Sequence, residues 1–134
     1  MIKILIVEDK EQYLKTMTFV LQNHFAVDTA ASLQTALNKI QKEHYDLILL
    51  DAIFPERDGR PLGDGHGNLS SKDFRGKTVL ELARSKKIPV IGISSNPEYY
   101  QNENLALNLH KRDIDLVALP KIINEIVEKN VRPQ

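Results

Sequence analysis

The sequence contains no cysteine. Disulfides, thiolate nucleophiles, zinc–thiolate sites and iron–sulfur clusters are therefore excluded from its chemistry. It carries no net charge, because 18 Lys and Arg balance 18 Asp and Glu. That argues against nucleic-acid or membrane-surface binding held by bulk positive charge, although it leaves room for a local patch. Long hydrophobic runs are also missing. The opening Met1-Ile2-Lys3-Ile4-Leu5-Ile6-Val7 meets two acids at once, too short and too soon charged for a signal peptide or transmembrane helix. A cytoplasmic location is the expectation. Repeats and low-complexity tracts are absent. What remains is an ordinary mix, 42% hydrophobic and 27% charged over 134 residues. Such a chain fits one domain, residues 1–134, with a core that needs no covalent staples.

Short apolar runs alternate with longer amphipathic stretches. Ile2 to Val7 reads as a strand. Tyr13, Leu14, Met17, Val20 and Leu21 follow with helical spacing. Phe25 to Ala30 is a second short strand, and Ser32 is placed to cap a helix whose stripe is Leu33, Ala36, Leu37 and Ile40. Leu47 to Leu50 is apolar on both faces, as a central parallel strand must be. Thr78 to Lys86 predicts a helix and Pro89 to Ile93 a fourth strand. Ile114 to Ala118 is taken as the fifth strand, with Pro120 in the first turn of a last helix that carries Ile122, Ile123, Ile126 and Val127. Strands alternating with helices imply an α/β fold, a parallel sheet covered on both faces. Two stretches resist this scheme. Residues 56–75 hold four of the six glycines and no clear period, a loop long enough to be either functional or poorly ordered. Pro97 to His110 is expected to be helical on topology, although Leu105, Leu107 and Leu109 alternate with period two.

In a doubly wound sheet, ligands bind beyond the carboxyl ends of the strands, where chain order reverses. The first strand ends in Glu8-Asp9 and the third in Asp51. With strand order 2-1-3-4-5 these ends are neighbours, about 4.8 Å apart. Two like charges at about 4 Å cost roughly 4 kcal/mol at an effective dielectric near 20. One carboxylate therefore stays protonated, or a cation binds, and an all-oxygen site open to water favours a hard ion such as Mg²⁺. Such an ion beside an aspartate suits attack of the carboxylate on phosphorus. Acids at strand ends also serve simply as helix caps or solvated groups. The pair of neighbouring ends is more informative than either alone.

Ile4-Leu5-Ile6-Val7-Glu8-Asp9, Asp46-Leu47-Ile48-Leu49-Leu50-Asp51 followed by Pro55, and Pro89-Val90-Ile91-Gly92-Ile93-Ser94 together resemble the receiver domain of bacterial two-component response regulators. The resemblance implies a flavodoxin-like, five-stranded parallel sheet and a signalling domain, not an enzyme beyond self-phosphorylation and autodephosphorylation. It implies that Asp51 accepts the phosphoryl group. Asp9 and Glu8 would hold Mg²⁺, with Asp51 and the backbone carbonyl of Ile53 completing the set. Ser94 would be the switch hydroxyl, with Ser95 the alternative one residue on. Gly59, eight residues after Asp51, also fits the family pattern.

Two features depart from the pattern. Receivers carry a Lys before a Pro after the fifth strand, where this chain has Leu119 before Pro120. A leucine cannot donate to an oxyanion, so Lys77, Lys111, Arg112 or Lys121 is the expected replacement. The aromatic three residues earlier would be Leu116. The second departure is the insertion between Pro55 and Gly76, placed as a lid over the pocket or as a surface loop. The expected function is a stand-alone receiver that takes a phosphoryl group from a sensor histidine kinase or phosphotransfer protein and acts on a downstream protein target. The alternative, favoured by Leu119, is a degenerate receiver that works as a phosphorylation-independent interaction module. A phosphatase using Asp51 as nucleophile would need a second Asp where Ile53 stands. Gly76-Lys77-Thr78 mimics the end of a phosphate-binding loop, but Ser71 stands where that motif needs glycine.

Overall fold

The computed structural model describes residues 1–64 and 66–131. Its elements run β1 (Lys3–Val7), α1 (Glu11–Leu21), β2 (Ala26–Ala30), α2 (Leu33–Lys42), β3 (Leu47–Leu50), α3 (Gly76–Ser85), β4 (Val90–Ser94), β5 (Leu107–His110) and α4 (Leu119–Val131). All strand pairs are parallel, in the order β2-β1-β3-β4-β5. The fold is the flavodoxin-like α/β arrangement expected.

Alternation along each strand divides the core in two. Leu5, Val7, Ile48, Leu50 and Val90 meet Ala36, Ile40, Val79, Leu80 and Ala83 of α2 and α3. Ile4, Ile6, Leu47, Leu49, Ile91 and Ile93 meet Met17, Leu21, Ile123 and Val127 of α1 and α4. Each fully buried Leu, Ile or Val contributes about 1.5–3 kcal/mol relative to exposure, so β1 and β3 are fixed from both faces. Their carboxyl ends, and the acids on them, are fixed with them. Ser32 caps α2 as its position suggested, its hydroxyl accepting the Thr35 N–H at 3.3 Å.

The fifth strand is not Ile114 to Ala118. It is Leu107–His110, inside the stretch expected to be helical. The period-two pattern decides the outcome. Leu107 and Leu109 turn to the α1/α4 core, while Asn108 on the other face stays exposed, the pattern of an edge strand. Between Ser94 and Leu107 the chain makes one 3₁₀ turn, Pro97–Tyr100, where a helix was expected. A parallel crossover needs about a dozen residues, and residues 95–106 supply no more. Residues 114–118 instead lead into α4. Ile114 and Leu116 pack partly on the core, and Asp115 Oδ1 accepts the N–H groups of Val117 and Ala118 at 3.0 and 3.2 Å.

The loop after β3 has an ordered framework. Buried Asp73 accepts the Ser70 N–H at 2.8 Å and the Gly63 N–H at 3.2 Å, which ties the two limbs of the loop together. Arg75 donates to the Phe54 carbonyl at 2.9 Å, and Thr35 of α2 donates to Asp58 at 3.1 Å. Asp64 holds a local turn by accepting the N–H groups of His66 and Asn68.

Candidate functional site

The sheet's carboxyl edge brings Glu8 and Asp9, just after β1, against Asp51, just after β3. Register places Val7 beside Leu50, so the residues that follow leave the sheet side by side. One carboxylate oxygen from each of the three lies within 4.8 Å of the others. Glu8 is 2% exposed and Asp51 8%, while Asp9 is half-buried. Asp51 Oδ1 accepts the Ala52 N–H at 2.8 Å, and its backbone carbonyl accepts the Tyr100 hydroxyl at 2.7 Å.

The cation in this cup is Lys111. It follows β5 directly, and its Nζ lies 2.6 Å from Glu8 Oε1 and 3.5 Å from Asp51 Oδ2. The ammonium also sits over the Tyr13 ring, 4.7 Å from its centroid. The expectation that Leu119 stands where the lysine should be is corrected. Leu119 is a core residue in the first turn of α4, 1% exposed. The fifth strand ends at His110, eight residues before Ala118, and the lysine that follows it is Lys111. Of the four candidates, Lys111 reaches the pocket. Three residues before it stands Asn108, whose side chain donates to the Pro97 carbonyl. Leu116 has no place there. The missed signal was the alternation of Leu105, Leu107 and Leu109 running straight into Lys111.

Burial, reinforced by the neighbouring Asp51, pushes the Glu8 carboxyl up to about 9, against the opposing pull of Lys111. Burial and the charge of Asp51 raise Asp9 as well. Among the described residues, Glu8 Oε2, Asp9 Oδ1 and Ser94 Oγ are buried without a hydrogen-bond partner. Orphaned buried carboxylate oxygens are costly. An all-oxygen set of three carboxylates with two such atoms fits a hard divalent cation.

A cavity of about 160 Å³ opens over these groups. Asp9, Asp51, Ile53, Ser94 and Lys111 line it, so every site residue expected from the sequence borders it except Glu8, which lies beneath. Ser95 lines it too, but is exposed, whereas Ser94 is 2% exposed. Leu62 and Leu69 reach its mouth from the long loop, and Tyr99 from the β4–β5 connection.

Residues 4–64 match the family model described as the response regulator receiver domain. Over that stretch the chain is similar to a response-regulator receiver domain. Solved receiver structures share its fold along nearly its whole length. A CheY-like receiver domain protein from Methanospirillum hungatei JF-1 is 20% identical, with a TM-score of 0.74 over 97% of this chain and 96% of that one. The signal receiver domain of an HD domain-containing protein from Pseudomonas fluorescens Pf-5 is 19% identical, with a TM-score of 0.73 over 96% of both chains. A receiver domain protein from Clostridium thermocellum is 21% identical, with a TM-score of 0.68 over 96% of both. No curated protein matches. The matched stretch includes Glu8, Asp9 and Asp51 and stops within the long loop. Ser94 and Lys111 lie beyond it and are placed by the tertiary structure alone. Among the described residues no helix is long and apolar enough to cross a membrane.

Proposed function

We propose that this receiver accepts a phosphoryl group on Asp51 from a phosphohistidine of a sensor histidine kinase or phosphotransfer protein, and passes the signal on by protein–protein contact. The observation that supports it best is Lys111, which brings a cation to a half-enclosed cup of three acids beside a free hydroxyl. Glu8, Asp9, Asp51 and the backbone carbonyl of Ile53 are the groups that would hold Mg²⁺. Such an ion supplies charge neutralisation at the phosphoryl oxygens.

The chain's own residues then have separable roles. A carboxylate oxygen of Asp51 bonds to phosphorus as the P–N bond of the donor breaks, and the electron pair stays on the leaving imidazole. The Ala52 N–H holds the Asp51 carboxylate at 2.8 Å and fixes its rotation. Lys111 stands 3.5 Å from Asp51 and pairs with the added negative charge. Ser94 has a buried Oγ without a partner among the described residues, and it donates to a phosphoryl oxygen without first breaking another bond. The interaction-module alternative drew its support from Leu119; Lys111, 3.5 Å from Asp51, supplies a cation that Leu119 does not and favours the acceptor reading.

The test is incubation with acetyl phosphate and Mg²⁺, read by intact-protein mass. One phosphoryl group should add to the native chain and none to Asp51→Asn. Lys111→Ala should load but retain the label poorly. A native protein that gains no mass, and whose spectrum does not respond to beryllium fluoride, would refute the proposal.

A further inference from the structure

The long loop is an insertion that the acceptor chemistry does not require, and it is built to stay in place. Its limbs are pinned by the buried Asp73 carboxylate, and it is anchored at its end by Arg75 on the Phe54 carbonyl. Phe74 packs on Tyr99 and Tyr100, with ring centroids 5.0 and 5.1 Å away. Tyr100 in turn donates to the Asp51 carbonyl. A turn at Gly63, with φ of +71°, brings Asn68 close by. The result presents Leu62 and Leu69 at the mouth of the cavity that holds Asp51, Ser94 and Lys111. Leu69 is 51% exposed. Apolar side chains at the entrance to a charged pocket are unfavourable in solvent.

We infer that the described residues of the loop, 56–64 and 66–75, form a preorganised apolar lid, in which Leu62 and Leu69 shield phosphorylated Asp51 from hydrolysis and so lengthen the signal. The inference rests on the phosphoacceptor reading above. The step being slowed is attack of water on phosphorus. The water oxygen bonds to phosphorus, the bond from phosphorus to Asp51 breaks, and its electron pair returns to the carboxylate. Both water protons leave on inorganic phosphate. Attack requires a water molecule in line with the breaking bond, and displacing bulk water from the entrance lowers the chance of finding one there. Lys111, Ser94 and the acids are untouched by the lid's own chemistry, so loading and loss can be separated.

The full chain is loaded with radiolabelled acetyl phosphate and Mg²⁺, freed of donor by gel filtration, and followed for loss of label. The Leu62→Ser/Leu69→Ser double variant keeps the lid's backbone and removes its apolar cover. Gly63→Ala tests the same point differently, because a Cβ there would stand 2.2 Å from the Asn68 carbonyl oxygen and push the lid aside. Both variants should lose label several-fold faster than the native protein while still binding beryllium fluoride. Label that enters the variants and not the native chain would also support the lid, as closure against a small donor. Equal or slower loss in both variants would overturn the lid and leave the acceptor reading standing. Failure of all three proteins to load or to bind beryllium fluoride would overturn the acceptor reading, and the lid with it.

Discussion

Replacing Lys111 by Met removes the ammonium and keeps an apolar stem of similar length against Tyr13. At an effective dielectric near 20, a unit charge pair at the 3.5 Å separation from Asp51 attracts by about 5 kcal/mol, while Glu8, 2.6 Å away and protonated at neutral pH, accepts a hydrogen bond from the ammonium. Most of that gross energy is offset by dehydration of the buried groups. A hydrogen bond to a charged partner nets about 1.5–3 kcal/mol. The contact with Glu8 is short and well enclosed, whereas the contact with Asp51 is long. The metal-free variant should therefore lose about 2–3 kcal/mol at neutral pH. The sign reverses when Mg²⁺ is added. A cation entering the native cup shares Glu8 and Asp51 with an ammonium already there. In the variant it does not, so affinity rises and the stabilisation by bound ion, RT ln(1 + [L]/Kd), grows. Urea unfolding with and without Mg²⁺ measures both effects. A Lys111→Met protein that unfolds at the native urea concentration without Mg²⁺, or that gains less from Mg²⁺ than the native protein, would refute this account of the pocket.

Other outcomes follow from the same geometry. Glu8 sits at about 9 in the fold against an ordinary 4.5. Its protonated form is the one the fold favours, so its contribution is complete below about 4.5 and is lost as pH rises through about 9. Metal-free melting temperatures should fall across that window, and the rise produced by Mg²⁺ should be larger at the alkaline end. A flat profile in scanning calorimetry would contradict the assignment. Tyr100→Phe keeps the ring and deletes the hydroxyl that donates to the Asp51 carbonyl, which should cost about 1–2 kcal/mol in urea unfolding. Gly76→Ala should be at least as damaging, because a Cβ there would stand 1.9 Å from the Tyr100 hydroxyl and 2.7 Å from the Asp51 carbonyl oxygen. Overpacking of this kind typically costs about 1–3 kcal/mol. Asp73→Ala should raise hydrogen exchange in residues 60–75 and leave β1 and β3 protected, since its partners lie within the loop.

The central strands were legible because their burial on both faces writes itself into composition. Ile4 to Val7 and Leu47 to Leu50 are apolar without interruption, and acids at their ends can then point only to the sheet's edge. Two neighbouring strand ends fix Glu8, Asp9 and Asp51 together, so the acidic cup needed no distant contact to be foreseen. The edge of the sheet was less legible. Leu105, Leu107 and Leu109 carried the period of a strand, yet topology argued for a helix, and the local pattern was the better guide. Ile114 to Ala118 looked as apolar as a strand because Ile114 and Leu116 pack on the core from the approach to α4.

The sequence by itself determined the parallel sheet, the acids at its carboxyl edge and Ser94 near them, because each depends on residues close together in the chain or on the order of strands. Only the tertiary structure decided which cation completes the cup and what covers it. Lys111 is 60 residues from Asp51 in sequence and meets it through strand register. Leu62, Leu69, Tyr99 and Tyr100 reach the site from segments with no regular period. Contacts of that kind are set by how loops close over a finished sheet, and no local spacing in the chain encodes them.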